Sequence, residues 1–178
     1  MFAQWLSDIQ THLHLPITYI YEPFTTTILE PKYYQKAIKQ KTKTKIVKRT
    51  LHQGLDYTPD FIIHIPFRDF HVFESLFKPP SINNQPSIKG RYRVWVDVKG
   101  TFGKYNDDKY FSALRKIVYE VRGIWIEKIV PIQLFKRTFC PEKYRWMMNR
   151  KKPTLSKMGR ECQTLTEWIG KQNAKSNI

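Results

Sequence analysis

Two short stretches of this sequence carry residue types that could do chemistry together. Asp60 lies in Pro59-Asp60-Phe61, just ahead of an apolar run. Asp97 and Lys99 lie in Val96-Asp97-Val98-Lys99, followed by Gly100. Side chains alternate across an extended segment, so Val94, Val96 and Val98 share one face and Trp95, Asp97 and Lys99 the other. If Asp60 sits on the neighbouring strand, the two carboxylates and the lysine converge. With the Val98 carbonyl, Asp60 and Asp97 would form a hard, oxygen-lined site suited to Mg²⁺ or Mn²⁺. An ion held there lowers the pKa of a bound water and makes it a competent nucleophile. Lys99 beside it could position or deprotonate that water and offset charge on a phosphate. Each motif alone has a plainer explanation, since Asp often forms turns at strand ends and Lys at a strand end usually faces solvent. The two in order, each expected on a strand in a strongly basic chain, favour the chemical reading.

The elements that must position these residues follow from apolar spacing. Phe2, Leu6, Ile9 and Leu13 recur at helical intervals, which predicts an amphipathic helix over residues 2–14, ended by Pro16. Residues 17–29 are rich in β-branched and aromatic types and predict a strand interrupted near Pro23. Residues 31–40 read as a turn and a short helix. In residues 41–51 Lys alternates with Thr, predicting an exposed strand with its lysines on one face. Residues 57–65 and 92–99 predict core strands. Between them, residues 66–90 read as an irregular insertion with one helical turn near residues 71–77 and Pro79-Pro80, Asn83-Asn84 and Pro86 beyond. A helix capped by Asp107 or Asp108 runs to about Val121, and Gly123 ends it. Residues 124–132 form a fourth strand, with helices expected near 141–148 and 159–170. The order gives an α/β pattern built on a mixed sheet.

Charge narrows the partner. The 178 residues carry 31 Lys and Arg against 15 Asp and Glu, a formal charge of +16, which makes a field attractive to polyanions. The surplus is concentrated. Residues 32–49 hold eight basic residues and no acid, and residues 143–175 hold nine against only Glu161 and Glu167. Two such runs predict nucleic-acid contact, with Lys41, Lys43, Lys45, Lys48, Arg49, Lys104, Lys109, Arg150, Lys151 and Lys152 as the candidate phosphate-binding residues. An anionic membrane would instead require a basic amphipathic helix, and neither run has a sustained apolar stripe at helical spacing. A hydrophobic content of 41% excludes a wholly disordered chain. Cys140 and Cys162 are too few for a disulfide scaffold or a multi-cysteine zinc site. No apolar run reaches the length of a membrane span, and the first 20 residues lack the pattern of a secretory signal. These features predict a soluble intracellular protein. There is no glycine-rich phosphate loop to suggest nucleotide-driven activity.

Pro59-Asp60 followed by Asp97-Val98-Lys99 resembles the PD-(D/E)xK nuclease superfamily. A short helix, the segment from Tyr19 to Phe24, Tyr57-Thr58-Pro59-Asp60-Phe61, the Asp97–Gly100 strand end, a helix and the strand at Ile124 come in the matching order. The chain looks like phage-type endonuclease I, a Holliday-junction resolvase, and like the endonuclease subunit of heteromeric transposases. The resemblance covers about residues 2–135. It implies a restriction-endonuclease-like core, in which a mixed four-stranded sheet is flanked by helices, and Mg²⁺-dependent hydrolysis of DNA phosphodiesters. Asp60 and Asp97 then become metal ligands and Lys99 the catalytic lysine. If the chain is phage-encoded, it would act in the host cytoplasm.

Two departures from that pattern stand out. Family members often carry a Glu on the first helix as a further ligand, whereas this helix offers only Gln4 and Asp8 near that place. Glu22, on the following strand, is the other candidate acid. Relatives also often have a short hairpin where residues 66–90 stand here, and Phe70, Phe73 and Phe77 make that insertion a candidate specificity element or docking surface. The division is therefore a nuclease-like core over residues 1–135 and a basic C-terminal extension over 136–178. The expected activity is that of a metal-dependent endonuclease acting on DNA, with structure-specific cleavage as one form and a homodimer or partner protein as further possible partners. The alternatives are a nuclease-fold DNA-binding or assembly protein with weakened catalysis, and a basic module that binds RNA or a ribonucleoprotein.

Overall fold

Residues 61–66 and 91–98 are β-branched and aromatic, and their alternation makes them the central strands of a four-stranded sheet. The computed structural model describes residues 1–73, 76–77, 90–100, 105–149 and 152–176. In chain order the elements are α1 (Phe2–His12), β1 (Thr18–Tyr21), β2 (Thr26–Leu29), β3 (Lys32–Lys39), β4 (Thr44–His52), β5 (Leu55–Tyr57) and β6 (Phe61–Pro66). A 3₁₀ turn (Phe67–Val72), β7 (Arg91–Val98), α2 (Tyr105–Arg122), β8 (Ile126–Ile129) and α3 (Pro131–Arg137) follow. The chain continues with α4 (Glu142–Arg145), β9 (Trp146–Asn149), β10 (Lys152–Leu155), α5 (Lys157–Glu161) and α6 (Leu165–Ser176). The main sheet has the order β1-β6-β7-β8. β6 is antiparallel to both β1 and β7, and β7 is parallel to β8. The α2 helix makes the crossover that a parallel pair requires.

The expected mixed four-stranded sheet flanked by helices is present. Its two faces are covered differently. Phe61, Ile63 and Ile65 of β6 and Val94 and Val96 of β7 bury one face against Phe2, Trp5, Leu6 and Ile9 of α1. Residues 136–178 add Phe139, Cys140, Cys162 and Trp168 to the same core. Trp5 is fully buried, stacks on Phe139, and donates its indole N–H to Thr138 Oγ1 at 2.9 Å. The other face carries a smaller core of Ile28, Tyr57, Phe111, Val118 and Ile126, covered by α2. Gly123, at φ +66°, ends α2 as its spacing predicts, with its N–H on Tyr119 O at 2.7 Å.

Several local expectations change. Residues 17–29 form two strands in different sheets, because β2 leaves β1 and pairs with β5. Residues 31–40 form β3, not a turn and a helix, because pairing with β4 along the whole segment overrides a local composition that tolerates helix. That pairing places Lys45 and Arg49 on one face of β4 and Lys48 on the other, so the lysines do not share a face. Phe70, Phe73 and Phe77 of the expected insertion are buried in the main core rather than displayed. Residues 141–148 divide into the short α4 and strand β9. Pro79-Pro80, Asn83-Asn84 and Pro86 lie outside the described residues. Among the described residues, no helix is long and apolar enough to cross a membrane.

The Trp5–Thr138 bond ties α1 to the C-terminal segment inside the core. Thr138→Val keeps the shape but leaves the buried indole N–H unpaired, and is expected to cost about 1–3 kcal/mol. Urea unfolding of the two proteins measures it. A change within experimental error would show that the bond is not what fixes α1.

Candidate active site

The C-terminal end of β7 carries the site. Trp95 and Asp97 point to the α2 face, while Val94 and Val96 enter the opposite core, as strand alternation requires. The Asp97 side chain is 5% exposed, and its Oδ2 lies 2.7 Å from Lys99 Nζ. The Lys99 side chain is 42% exposed, and its ammonium also lies 5.5 Å from the Phe111 ring centroid, within cation–π range. Asp60 arrives from the next strand over. Pro59 separates β5 from β6, and Asp60 stands in that break, one residue before Phe61. Its carboxylate Oδ2 accepts the Val98 N–H at 2.6 Å, and its backbone carbonyl accepts the Glu22 N–H at 2.9 Å. Glu22 takes the left-handed conformation, φ +44°, to make that contact. Asp60 is thereby fixed between the ends of β1 and β7, and its carboxylate comes within hydrogen-bonding reach of Asp97.

Burial is the largest influence on Asp97 and raises its pKa to about 6. The Lys99 hydrogen bond and charge pull it down, while the neighbouring Asp60 pushes it up. The Tyr57 hydroxyl is buried beside this pair and has no hydrogen-bond partner among the described residues. Its pKa is raised first by burial and then by the negative charge of Asp97 and Asp60. Two clefts flank the site. One, of about 420 Å³, is lined by Asp60, Val98, Tyr21, Phe61 and the start of α1. The other, of about 260 Å³, is lined by Lys99, Tyr110, Phe111 and Leu114.

The structure thus brings Asp60, Asp97, Val98 and Lys99 together and leaves the two candidate further acids apart from them. Asp8 lies on α1 and accepts the Gln4 side-chain N–H at 2.8 Å. Glu22 touches Asp60 through its backbone, while its carboxylate pairs with the Tyr21 hydroxyl and raises that group's pKa. Among the described residues, no group of three or more His, Cys, Asp or Glu forms a ready-made metal cage. The chemistry still fits a hard dication. Two adjacent carboxylates, one with its pKa raised by burial, and a buried hydroxyl without a hydrogen-bond partner among the described residues form a donor set that positive charge and polar ligands would satisfy. Mg²⁺ commonly binds through one or two carboxylates and keeps several waters.

Lys41, Lys43, Lys45, Lys48 and Arg49 lie on the β3–β4 hairpin and its tip, Lys109 on α2 and Lys152 on β10, all exposed. Lys104, Arg150 and Lys151 lie outside the described residues. Cys140 and Cys162 are buried free thiols; burial pushes Cys140 up to about 11 and also raises Cys162, so neither is an activated nucleophile. Three further cations on the Asp97 face of the main sheet were not among the sequence candidates, Lys128 beside Asp97 and Arg91 and Arg93 toward the start of β7. Arg91 and Arg93 share the Asp97 face of β7, and extending the alternation back from Trp95 would have found them. Lys128, opposite Asp97 in the parallel β7–β8 register, pairs with Asp108 of α2, and only the crossover geometry brings it there.

The Asp97 shift sets a pH dependence. The folded chain holds the Asp97 proton more tightly than the unfolded chain, whose pKa is near the ordinary 3.8. Stability therefore falls as pH rises from about 4 to about 6 and stays lowered above that, by at most about 3 kcal/mol. Asp97→Asn retains an acceptor for Lys99 and removes the buried charge. We expect it to melt higher than the native chain at pH 8, with the gain vanishing near pH 4 in thermal unfolding. A lower melting temperature at pH 8 would mean that the Lys99 pair outweighs burial. Comparison of the chain with protein-family models, with curated proteins and with solved structures gives no match.

Proposed function

We propose that this chain is a divalent-metal-dependent DNA endonuclease of the PD-(D/E)xK type, built on a restriction-endonuclease-like core. The observation that carries the reading is the convergence of Asp60 with Asp97 and Lys99. These residues are separated by a long intervening segment, yet Asp60 bonds the backbone of Val98, the residue between the other two. A turn-forming Asp and a solvent-facing Lys would not meet in this way. The flanking charge supports a polyanionic substrate.

In this reading Asp60 and Asp97, with the Val98 carbonyl, hold Mg²⁺ or Mn²⁺. When bound, the ion supplies Lewis acidity and an acidified water for in-line attack on phosphorus. The chain's own residues do the rest. The Val98 N–H and the Glu22 N–H fix Asp60, so its carboxylate needs no reorganisation when charge develops. Burial holds Asp97 between Lys99 and Asp60. Lys99 brings a partly exposed ammonium to the site, where it offsets charge on the phosphate as it builds.

One observation favours a second reading. Only two acids converge among the described residues, and Lys99 already neutralises one of them. A nuclease-fold DNA-binding or assembly protein with weakened catalysis has that composition.

Cleavage of a labelled panel separates the two. Supercoiled plasmid, four-way junction, linear duplex and single strand are incubated with Mg²⁺, Mn²⁺ or EDTA. The native chain is expected to cut in metal and not in EDTA. Asp97→Ala and Lys99→Ala should each lose about 100-fold or more in rate while keeping DNA affinity. Salt-sensitive binding with no cleavage of any substrate would establish the second reading.

A further inference from the structure

The β3–β4 hairpin is exposed along nearly its whole length. Eight basic residues and no acid lie between Lys32 and Arg49. Tyr33–Lys39 pairs with Thr44–Thr50 along its whole length, and the ribbon closes tightly, with the Gln40 N–H on Lys43 O at 2.8 Å. Within its two strands only Ile38, Val47 and His52 are better than fully exposed in their burial. Ile46 and Leu51 are 66% and 64% exposed. An isolated two-stranded ribbon is marginally stable in water, so one this regular and this exposed calls for a partner.

Its charge distribution selects the partner. By register, Tyr34 with Arg49, Lys36 with Val47 and Ile38 with Lys45 share one face. Gln35 with Lys48, Ala37 with Ile46 and Lys39 with Thr44 share the other. Cations therefore project from both faces, and Lys41 and Lys43 add two more at the tip. A membrane-binding element would segregate apolar and basic faces, which this ribbon does not. Lysines along both strands oppose addition of a further protein strand. Binding single strands relies on successive open aromatic rings, whereas the ribbon offers one stacking face at Tyr34, Lys48 Nζ lying 3.9 Å over the Tyr33 ring. In double-stranded RNA the major groove is too deep and narrow for such an element. The major groove of B-form DNA is about 12 Å wide, accepts a two-stranded ribbon, and has phosphates along both walls. Seven residue pairs, six steps at about 3.4 Å, reach roughly 20 Å, less than one turn of duplex.

We propose that the β3–β4 ribbon is an arm that enters the major groove of duplex DNA, its two faces turned to the two phosphate walls. The inference rests on the reading of the chain as a DNA-cutting protein and adds how the duplex is held. The test uses the full chain in EDTA, so that binding is measured without cleavage. A 20-bp B-form duplex, the matching single strand and the matching RNA duplex are titrated over a range of salt. The native chain is compared with Lys36→Gln/Lys45→Gln/Lys48→Gln/Arg49→Gln, four exposed changes whose retained fold is checked by circular dichroism. The quadruple variant is expected to bind duplex DNA about ten-fold or more weaker at 0.1 M salt, with a salt slope shallower by about 3 to 4. Methyl green, which fills the major groove, should displace the native chain, and distamycin, which fills the minor groove, should not. Unchanged duplex affinity in the variant, displacement by distamycin alone, or arm-dependent binding that prefers single strand or RNA duplex would each overturn the arm assignment. Arm-dependent duplex binding by a chain that cuts nothing in metal would overturn the nuclease reading and keep the arm. Metal-dependent cutting by a chain whose binding ignores the arm would do the reverse.

Discussion

The burial of the Asp97 carboxylate beside a second carboxylate is the constraint on which the rest of this structure turns. A charge removed from water is costly unless it is paired and hydrogen-bonded. Here Lys99 supplies one partner, and Asp60 supplies a like charge within hydrogen-bonding reach. The result is a carboxyl pushed up to about 6, at the end of a central strand, with an exposed lysine attached. A fold optimised for stability alone would place an uncharged residue there. A buried carboxyl with a raised pKa and a specific charge partner is a candidate functional group.

The surrounding fold is arranged to hold that end of β7 still. One face of the sheet is locked by α1 and the C-terminal segment through Trp5, Phe139 and Trp168. The other is covered by α2, whose Phe111 lies under the Lys99 ammonium. The parallel β7–β8 pair extends one step beyond Val98, because the Lys99 N–H bonds Ile129 O at 2.8 Å. Lys99 is therefore anchored by its backbone, while its partly exposed side chain reaches Asp97. The basic ribbon is a separate two-stranded sheet that carries much of the charge and none of the converging residues Asp60, Asp97 and Lys99.

Much of the site was legible because it depends on short-range rules. Strand alternation alone places Trp95, Asp97 and Lys99 on one face, and Pro59 marks the break that frees Asp60 to turn toward β7. What could not be read locally depends on long-range pairing. Residues 32–39 contain Gln, Lys and Ala that tolerate helix, and only β4 makes them a strand. Phe70, Phe73 and Phe77 sit in a segment punctuated like a loop, yet they are apolar enough to be drawn into the core. Asp8 and Glu22 were reasonable candidates by position, but Gln4 engages the first and a backbone bond turns the second toward Tyr21.

Joint binding of a divalent cation by Asp60 and Asp97, as proposed, is tested by calorimetric titration of Mn²⁺ or Mg²⁺ into the full chain near pH 6, in two buffers of different ionisation enthalpy. Saturable binding is expected that releases protons, because the ion displaces the proton that burial favours on Asp97, and that is lost in Asp60→Ala and in Asp97→Ala alike. No saturable binding, or binding that survives both substitutions, would contradict it.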